Sequence, residues 1–438
     1  MSLPAGGGGG GSLLLRGVTL PDGRPADVRL GEATIEAIGA PGALARADAP
    51  DADTTLDLSG HLLLPAPAEP HAHLDKAYTA EWAPNTDGDL GGAVTAWLRY
   101  RPSMSDADIT ARGNAAVRAY LANGVTAIRT HVDVGDDIGI RALSSVIAIR
   151  DAMVGRCDLQ VVAFVGTPVS GRAGARNRAL LNEALAAGAD VAGACPALDP
   201  QPALCIEACL ELAAEHAVPV DLHIDEWLEP DPCTLALLAD AVTSSGFPYG
   251  VVASHCVSLG MMAPDVAREI ADRVAAARIA VICLPLTNLY LQARAHPVAT
   301  PRGLTALGTL RAAGVTVAAG GDNLQDPFNR VGRADPLDTA TLLVLAGHDT
   351  PETAYASVSA AARSAMGLSE VDIVAGAPAE LLAIRAGSVG QAVAESAPDR
   401  VVIHAGRVVA RTSTTREFFM PGPGSGAQRT MSTARRTG

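Results

Sequence analysis

One lysine, Lys76, is all that this 438-residue chain carries; the rest of its 33 Lys and Arg are arginines. Acidic residues number 47, so the net charge is −14 and the isoelectric point lies near 5.1. An acidic chain without a basic stripe excludes nucleic acid and anionic membrane as expected partners. Aromatics make up only 3%, which leaves the core to Ala, Val, Leu and Ile. No apolar run reaches the roughly 18 residues that suggest a membrane span. No positively charged segment precedes an apolar one at the start, so a secretory leader is not expected. The seven cysteines form no CxxC pair and no regular framework. That predicts reduced, buried thiols in a cytoplasmic protein. A homo-oligomer stays open.

What is present describes a well-buried globular protein, 48% hydrophobic with a mean hydropathy of +0.22. Residues 1–12 are glycine-rich and expected to be disordered, and 414–438 read as a mobile tail of Gly, Pro, Ser, Thr and Arg. Short alternating strands with turns over 13–61 recur over 373–413, which predicts one composite β-sandwich built from both ends of the chain. The stretch between, 62–372, alternates differently. Strand-like runs at 62–74, 125–134, 159–166, 191–198, 219–226, 250–256, 278–286 and 315–323 are separated by Ala- and Leu-rich stretches of helical length. Eight strands alternating with helices give the count of a (β/α)8 TIM-type barrel. A doubly wound sheet has no natural reason for eight. Neither GxGxxG nor GxxxxGKS/T follows any of these runs, which argues against nucleotide cradling.

Polar residues gather where a barrel enzyme needs them, at the C-terminal ends of strands. The first run ends in His71-Ala72-His73, two imidazoles on one side of a strand and so able to converge on one ion. With ten histidines in the chain, His-x-His arises by chance roughly 0.2 times, so the pair needs support from elsewhere. Later runs supply it: Thr130-His131-Val132-Asp133, His223-Ile224-Asp225-Glu226, Ser254-His255 and Gly321-Asp322-Asn323. Three histidines and a carboxylate can hold one divalent ion and leave a position open for water.

With these motifs the chain resembles the amidohydrolase superfamily, and within it the cytosine deaminase branch. The resembling segments are EPHAHLDK at 69–76, NGVTAIRTHVDV at 123–134, LQVVAF at 159–164, VDLHIDE at 220–226, ASHC at 253–256, PLTNLYLQAR at 285–294 and GGDNLQDPF at 320–328. The resemblance implies metal ligation by His71, His73, His223 and Asp322. It also implies Asp322 as acceptor of the water proton, Glu226 as the shuttle that protonates a ring nitrogen, and His255 as the group orienting the water. Two-metal members of the superfamily use a barrel lysine to carry a bridging carbamate. This chain has no lysine to spare, so one divalent ion, zinc or iron, is expected.

Substrate contacts are expected from Lys76, Asp133, Phe164, Gly166, Gln292 and Asn323. Asp133 points inward alongside His131 by the period of two, and Lys76 is read as a mobile ammonium at the mouth. Two departures bear on specificity. Bacterial cytosine deaminases carry Phe-Pro-Gln after strand three, where this chain has Phe164-Val165-Gly166-Thr167; where they carry a second aspartate, it has Asn323. A site that lacks a hydrogen-bonding group loses affinity for the ligand that needs it, so cytosine itself is not the expected substrate. The expected function is a mononuclear metal-dependent deaminase or aminohydrolase acting on a C–N bond of a small cyclic amidine or amide: a modified cytosine, a pterin, a creatinine-like ring or an aminotriazine. The rivals are an N-alkylaminohydrolase, a ring-opening cyclic amidase and, from another class, a non-catalytic binding barrel. The separate zinc-deaminase fold is excluded, because HxE and PCxxC are both absent.

Overall fold

The structure, a computed structural model, describes residues 12–44 and 53–419. The segments expected to be disordered at the start and mobile at the end therefore fall largely outside the described residues. Ser12 already belongs to a strand, and 414–419 are exposed and without regular structure.

All eight expected runs contribute a parallel strand to one sheet, in sequential order. The strands are Ala68–Ala72, Ala127–Val134, Asp158–Val165, Val191–Ala194, Val220–Ile224, Val251–His255, Ala280–Cys283 and Val317–Ala319. The second, fourth, fifth and sixth are buried along their whole length, as strands covered on both faces must be. Helices form the outer layer. Asp106–Ala122, for example, starts at Ser105, whose side chain accepts the Asp108 N–H, and buries Ile109, Ala116, Val117 and Tyr120. The ring closes between the last strand and the first: the Asp322 N–H donates to the His71 carbonyl at 3.0 Å, and Ala72 bridges Asp322. The seam thus runs through two of the expected metal ligands. Glu69 reinforces it, because its carboxylate accepts the Gly321 N–H at 3.1 and 2.9 Å and the His71 N–H at 3.2 Å. A Cβ on Gly320 would lie 2.4 Å from Glu69 Oε1, so only glycine lets that carboxylate approach.

The second sheet draws on both ends of the chain. Its order is Arg407–Thr412, Arg400–His404, Leu381–Ile384, Leu62–Pro65, Ser12–Thr19, Pro25–Leu30 and Ile35–Gly39, with Asp53–Asp57 pairing beside Ser12–Thr19. One reading needs correction here. The run at 62–74 is two strands, and its first part, Leu62–Pro65, pairs antiparallel with Leu381–Ile384 in the terminal sheet. Pro65 and Pro67 break the run, since proline donates no ladder hydrogen bond. Period-two alternation then joins the two units. Leu62, Leu64, Leu382 and Ile384 pack into the barrel's core. Their neighbours Leu63, Leu381 and Ala383 pack with Leu15, Val28 and Ile403 in the core of the terminal unit. Among the described residues, no helix is long and apolar enough to cross a membrane.

Candidate metal centre and catalytic cavity

Each expected ligand sits at or just past a strand's C-terminal end, and several backbones there are strained. His255, Asp322 and Asp225 hold φ of 75°, 61° and 48°, a left-handed conformation that costs non-glycine residues about 1–3 kcal/mol each. Local contacts enforce it. Asp225, for instance, accepts the Thr234 N–H at 2.9 Å, the Leu235 N–H at 3.0 Å and the Thr234 hydroxyl at 2.5 Å.

The strand ends bring ligand atoms of His71, His73 and Asp322 within 4.8 Å of one another, and His71 lies equally close to His223 and His255. Asp322 Oδ1 lies 3.6 Å from His71 Nε2 and 3.3 Å from His73 Nε2, and the Nε2 atoms of His73 and His223 are 3.4 Å apart. Two nitrogens bound to one tetrahedral zinc at about 2.1 Å are separated by roughly 3.4 Å, so these spacings suit a shared ion. His71 Nε2 and both Asp322 carboxylate oxygens are buried without a hydrogen-bond partner. Leaving such atoms unpaired is costly, and a cation would satisfy them. Burial, with the neighbouring charges, holds His71, His73 and His223 well below the ordinary imidazole range. The three imidazoles are therefore neutral, and each keeps one nitrogen lone pair.

A buried relay fixes the His71 tautomer. Asp221 accepts from the Ser254 hydroxyl at 2.9 Å and from Arg129 at 3.0 Å. Burial raises the Asp221 carboxyl, but His131 and Arg129 outweigh that and hold it below its usual range. An ionised carboxylate only accepts, so Ser254 spends its one proton on Asp221. Its oxygen, 2.9 Å from His71 Nδ1, must then accept from that nitrogen. The ring proton sits on Nδ1, and Nε2 presents its lone pair to the centre.

Glu226 and His255 stand beside this cluster, with His255 Nε2 3.9 Å from Glu226 Oε2. Burial, aided by the Asp322 charge, pushes the Glu226 carboxyl well above its usual range. Burial lowers His255 to about 4 despite Asp322. The Asn288 amide donates to His255 Nδ1 at 3.1 Å, which places the His255 ring proton on Nε2, facing Glu226.

These groups form the inner end of a cavity of about 510 Å³, within the range of small-molecule sites. Lys76, Asp133, Phe164, Gly166 and Asn323 line it. Gln292 does not. Its amide instead donates to the Glu226 carbonyl, which steadies the loop carrying Glu226. Lys76 is also not a mobile group at the mouth, being 3% exposed. Its ammonium donates to Asp133 at 2.6 Å, lies 3.0 Å from His73 Nδ1, and sits 5.4, 5.4 and 5.8 Å from the ring centres of Trp97, Phe164 and Phe328. Burial raises the Asp133 carboxyl, but Lys76 and Arg101 outweigh it and hold it low. His131 sits beneath the centre instead of lining the pocket, stacked on His71 at 3.9 Å and 3.4 Å from Asp221. Asp75, next to the His pair, accepts the Asp133 N–H at 3.1 Å.

Sequence reasoning missed Trp97 and Arg101, which bond Asp133 at 2.7 and 2.6 Å. Both come from helix Leu90–Tyr100 and the turn after it. A tryptophan in a chain poor in aromatics was the available signal.

Residues 87–410 match the amidohydrolase family model, and the chain belongs to this family. A pterin deaminase of Rhizobium rhizogenes is 33% identical over 85% of this chain and 84% of its own length. In solved structures, the fold is similar to that of 5-methylcytosine deaminase from Klebsiella pneumoniae, with a TM-score of 0.82, 27% identity and coverage of 93% and 99% of the two chains. It is also similar to N-isopropylammelide isopropylaminohydrolase from Burkholderia multivorans, with a TM-score of 0.79, 28% identity and coverage of 92% and 99%. The relatives thus carry deaminase and aminohydrolase names, and an enzyme acting on C–N bonds of heterocycles is the class defined by fold and family.

Proposed function

We propose that the protein is a mononuclear metal-dependent deaminase of a fused two-ring heterocycle of the pterin type. The observation that carries the reading is the convergence of His71, His73, His223 and Asp322, with buried unpaired acceptor atoms, on the inner end of a cavity walled by Gly166. Gly166 presents no side chain, and even a Cβ there would have Val134 O at 3.6 Å as its nearest neighbour. A second ring has room where the cytosine deaminases place a glutamine. The pterin deaminase name of the 33%-identical relative supports the same ring.

His71, His73, His223 and Asp322 would hold the ion, zinc or iron. When bound, such an ion draws the pKa of water towards neutrality. The chain's own groups do the rest. Asp322 takes a proton from the attacking water. Glu226, protonated by virtue of its burial, gives one to the ring nitrogen beside the reacting carbon, which removes the charge that attack would build there. His255, through Nε2–H, orients the water. Lys76 spends one of its three N–H groups on Asp133 and offers another to a ring oxygen, while Phe164 covers a ring face. The amine leaves as ammonia after taking up a proton.

Ammonia release from pterin, 5-methylcytosine, cytosine and N-isopropylammelide tests the reading, with amine release followed for the last. Pterin should give the highest kcat/KM and cytosine a value at least about a hundredfold lower. A pyrimidine or triazine as the fastest compound would overturn the pterin assignment.

A further inference from the structure

Towards its mouth the cavity has a wall that the chemistry above leaves unused. Leu90, Val94 and Leu98 recur every four residues on helix Leu90–Tyr100, and all three line the catalytic cavity. That spacing puts them on one helix face. The same helix buries Ala93 and Trp97, so 90/94/98 is an additional apolar stripe beside the one that packs on protein. Leu198, in the turn after the fourth barrel strand, lines the same cavity. Leu98 and Leu198 are 47% and 49% exposed. Apolar side chains left open and continuous with a catalytic cavity are a surface shaped for a ligand.

Charge decides what fits there. The cavity is lined by two cationic side chains, Lys76 and Arg101. Lys76 is held by Asp133 at 2.6 Å; Arg101 is held by Asp133 at 2.6 Å and by Asp137 at 2.8 and 2.6 Å. Both cations are matched by carboxylates, and Asp136, which also lines the cavity, is paired with Arg176 at 3.0 Å. An anionic group entering by this route meets no unmatched positive charge.

We infer that the Leu90/Val94/Leu98/Leu198 wall is a subsite for an uncharged, apolar substituent on the side of the heterocycle away from the reacting carbon. The preferred substrates are then rings extended by an alkyl or aryl group, ahead of the bare ring and well ahead of its carboxylated form. The inference rests on the fused-ring deaminase reading above and names the substrate class for that site.

The test uses the full metal-loaded chain with pterin and its 6-methyl, 6-propyl, 6-phenyl and 6-carboxy derivatives. Because the walls are half open, kcat/KM should rise about twofold per added methylene, less than full burial would give. The carboxylate should fall about tenfold or more below bare pterin. In Leu98→Ser/Leu198→Ser the alkyl dependence should flatten; Leu198→Ser alone serves if the double variant does not fold. A flat series in the unaltered enzyme, or the carboxylate as best substrate, overturns the subsite while leaving the deaminase reading standing. A change of oligomeric state in the serine variants, with the alkyl series unaffected, assigns the stripe to a second copy of the chain and also overturns it. If a different ring is the one deaminated, the pterin reading fails, and the same substituent series built on that ring decides the subsite.

Discussion

Removing one hydroxyl, 2.9 Å from the proposed ligand His71, tests whether the relay beneath it matters. Ser254 accepts from His71 Nδ1 and donates to Asp221, each at 2.9 Å. Ser254→Ala leaves the His71 N–H buried without an acceptor and takes one donor from Asp221. An unpaired buried polar group costs about 1–3 kcal/mol. His71 can escape that cost by moving its proton to Nε2, which removes the lone pair that faces the centre. Metal affinity should therefore fall by about 10–100-fold, the usual consequence of losing an outer partner of a ligating histidine. Competition with a chromophoric chelator reads that constant directly. Activity should return at saturating metal, and Ser254→Thr, which keeps the hydroxyl, should restore most of the affinity. A Kd for metal within twofold of the unaltered protein would refute the argument and leave Ser254 a packing residue.

Elemental analysis should find close to one divalent ion per chain, with His223→Ala losing metal and activity together; two tightly held ions would sink the mononuclear proposal. Glu226→Gln keeps the side chain's shape and removes its proton transfer, so turnover should drop by about 10²-fold or more with metal still bound, and near-normal turnover would dismiss the shuttle role. His404 should give a pH dependence of stability. Burial lowers its pKa, but the bond to Glu380 at 3.0 Å, with Glu380 and Asp158 charges, outweighs burial and Arg363 and raises it above 6.5. Its contribution is complete below pH 6.5 and is lost as pH rises through the folded pKa. Melting temperature should therefore fall across that interval, and a His404→Gln protein that kept the same decline would contradict it.

The eight barrel strands were legible because each couples an apolar run to a flanking helical stretch, and that alternation needs no knowledge of tertiary contacts. Histidine positions were legible for a related reason: a barrel delivers every strand's C-terminal end to one face, so position along a strand stands in for position in space. Where that substitution fails, so did the reading. Leu62–Pro65 has the composition of a barrel strand, yet it pairs with Leu381–Ile384 more than 300 residues away, and nothing local distinguishes the two sheets except the prolines that follow. Gln292 lies in a motif shared with the deaminases, but whether its amide faces substrate or the Glu226 backbone is a rotamer choice made by packing.

Lys76 shows the same limit in charge. A lone lysine among arginines suggests that an ammonium is needed, and the sequence can go no further. Its burial depends on Asp133, 57 residues away, and on rings supplied by Trp97, Phe164 and Phe328. Arg101 competes for that carboxylate through Oδ2 while Lys76 takes Oδ1. A planar guanidinium in place of the compact ammonium would have to seat its fork beside His73 and Asp133 and among those three rings. The chain uses arginine at every other basic position, buried ones such as Arg129 and Arg400 included. At residue 76 a compact point charge reaches Asp133 and His73 at once, and that is a physical reason for this lysine to be there.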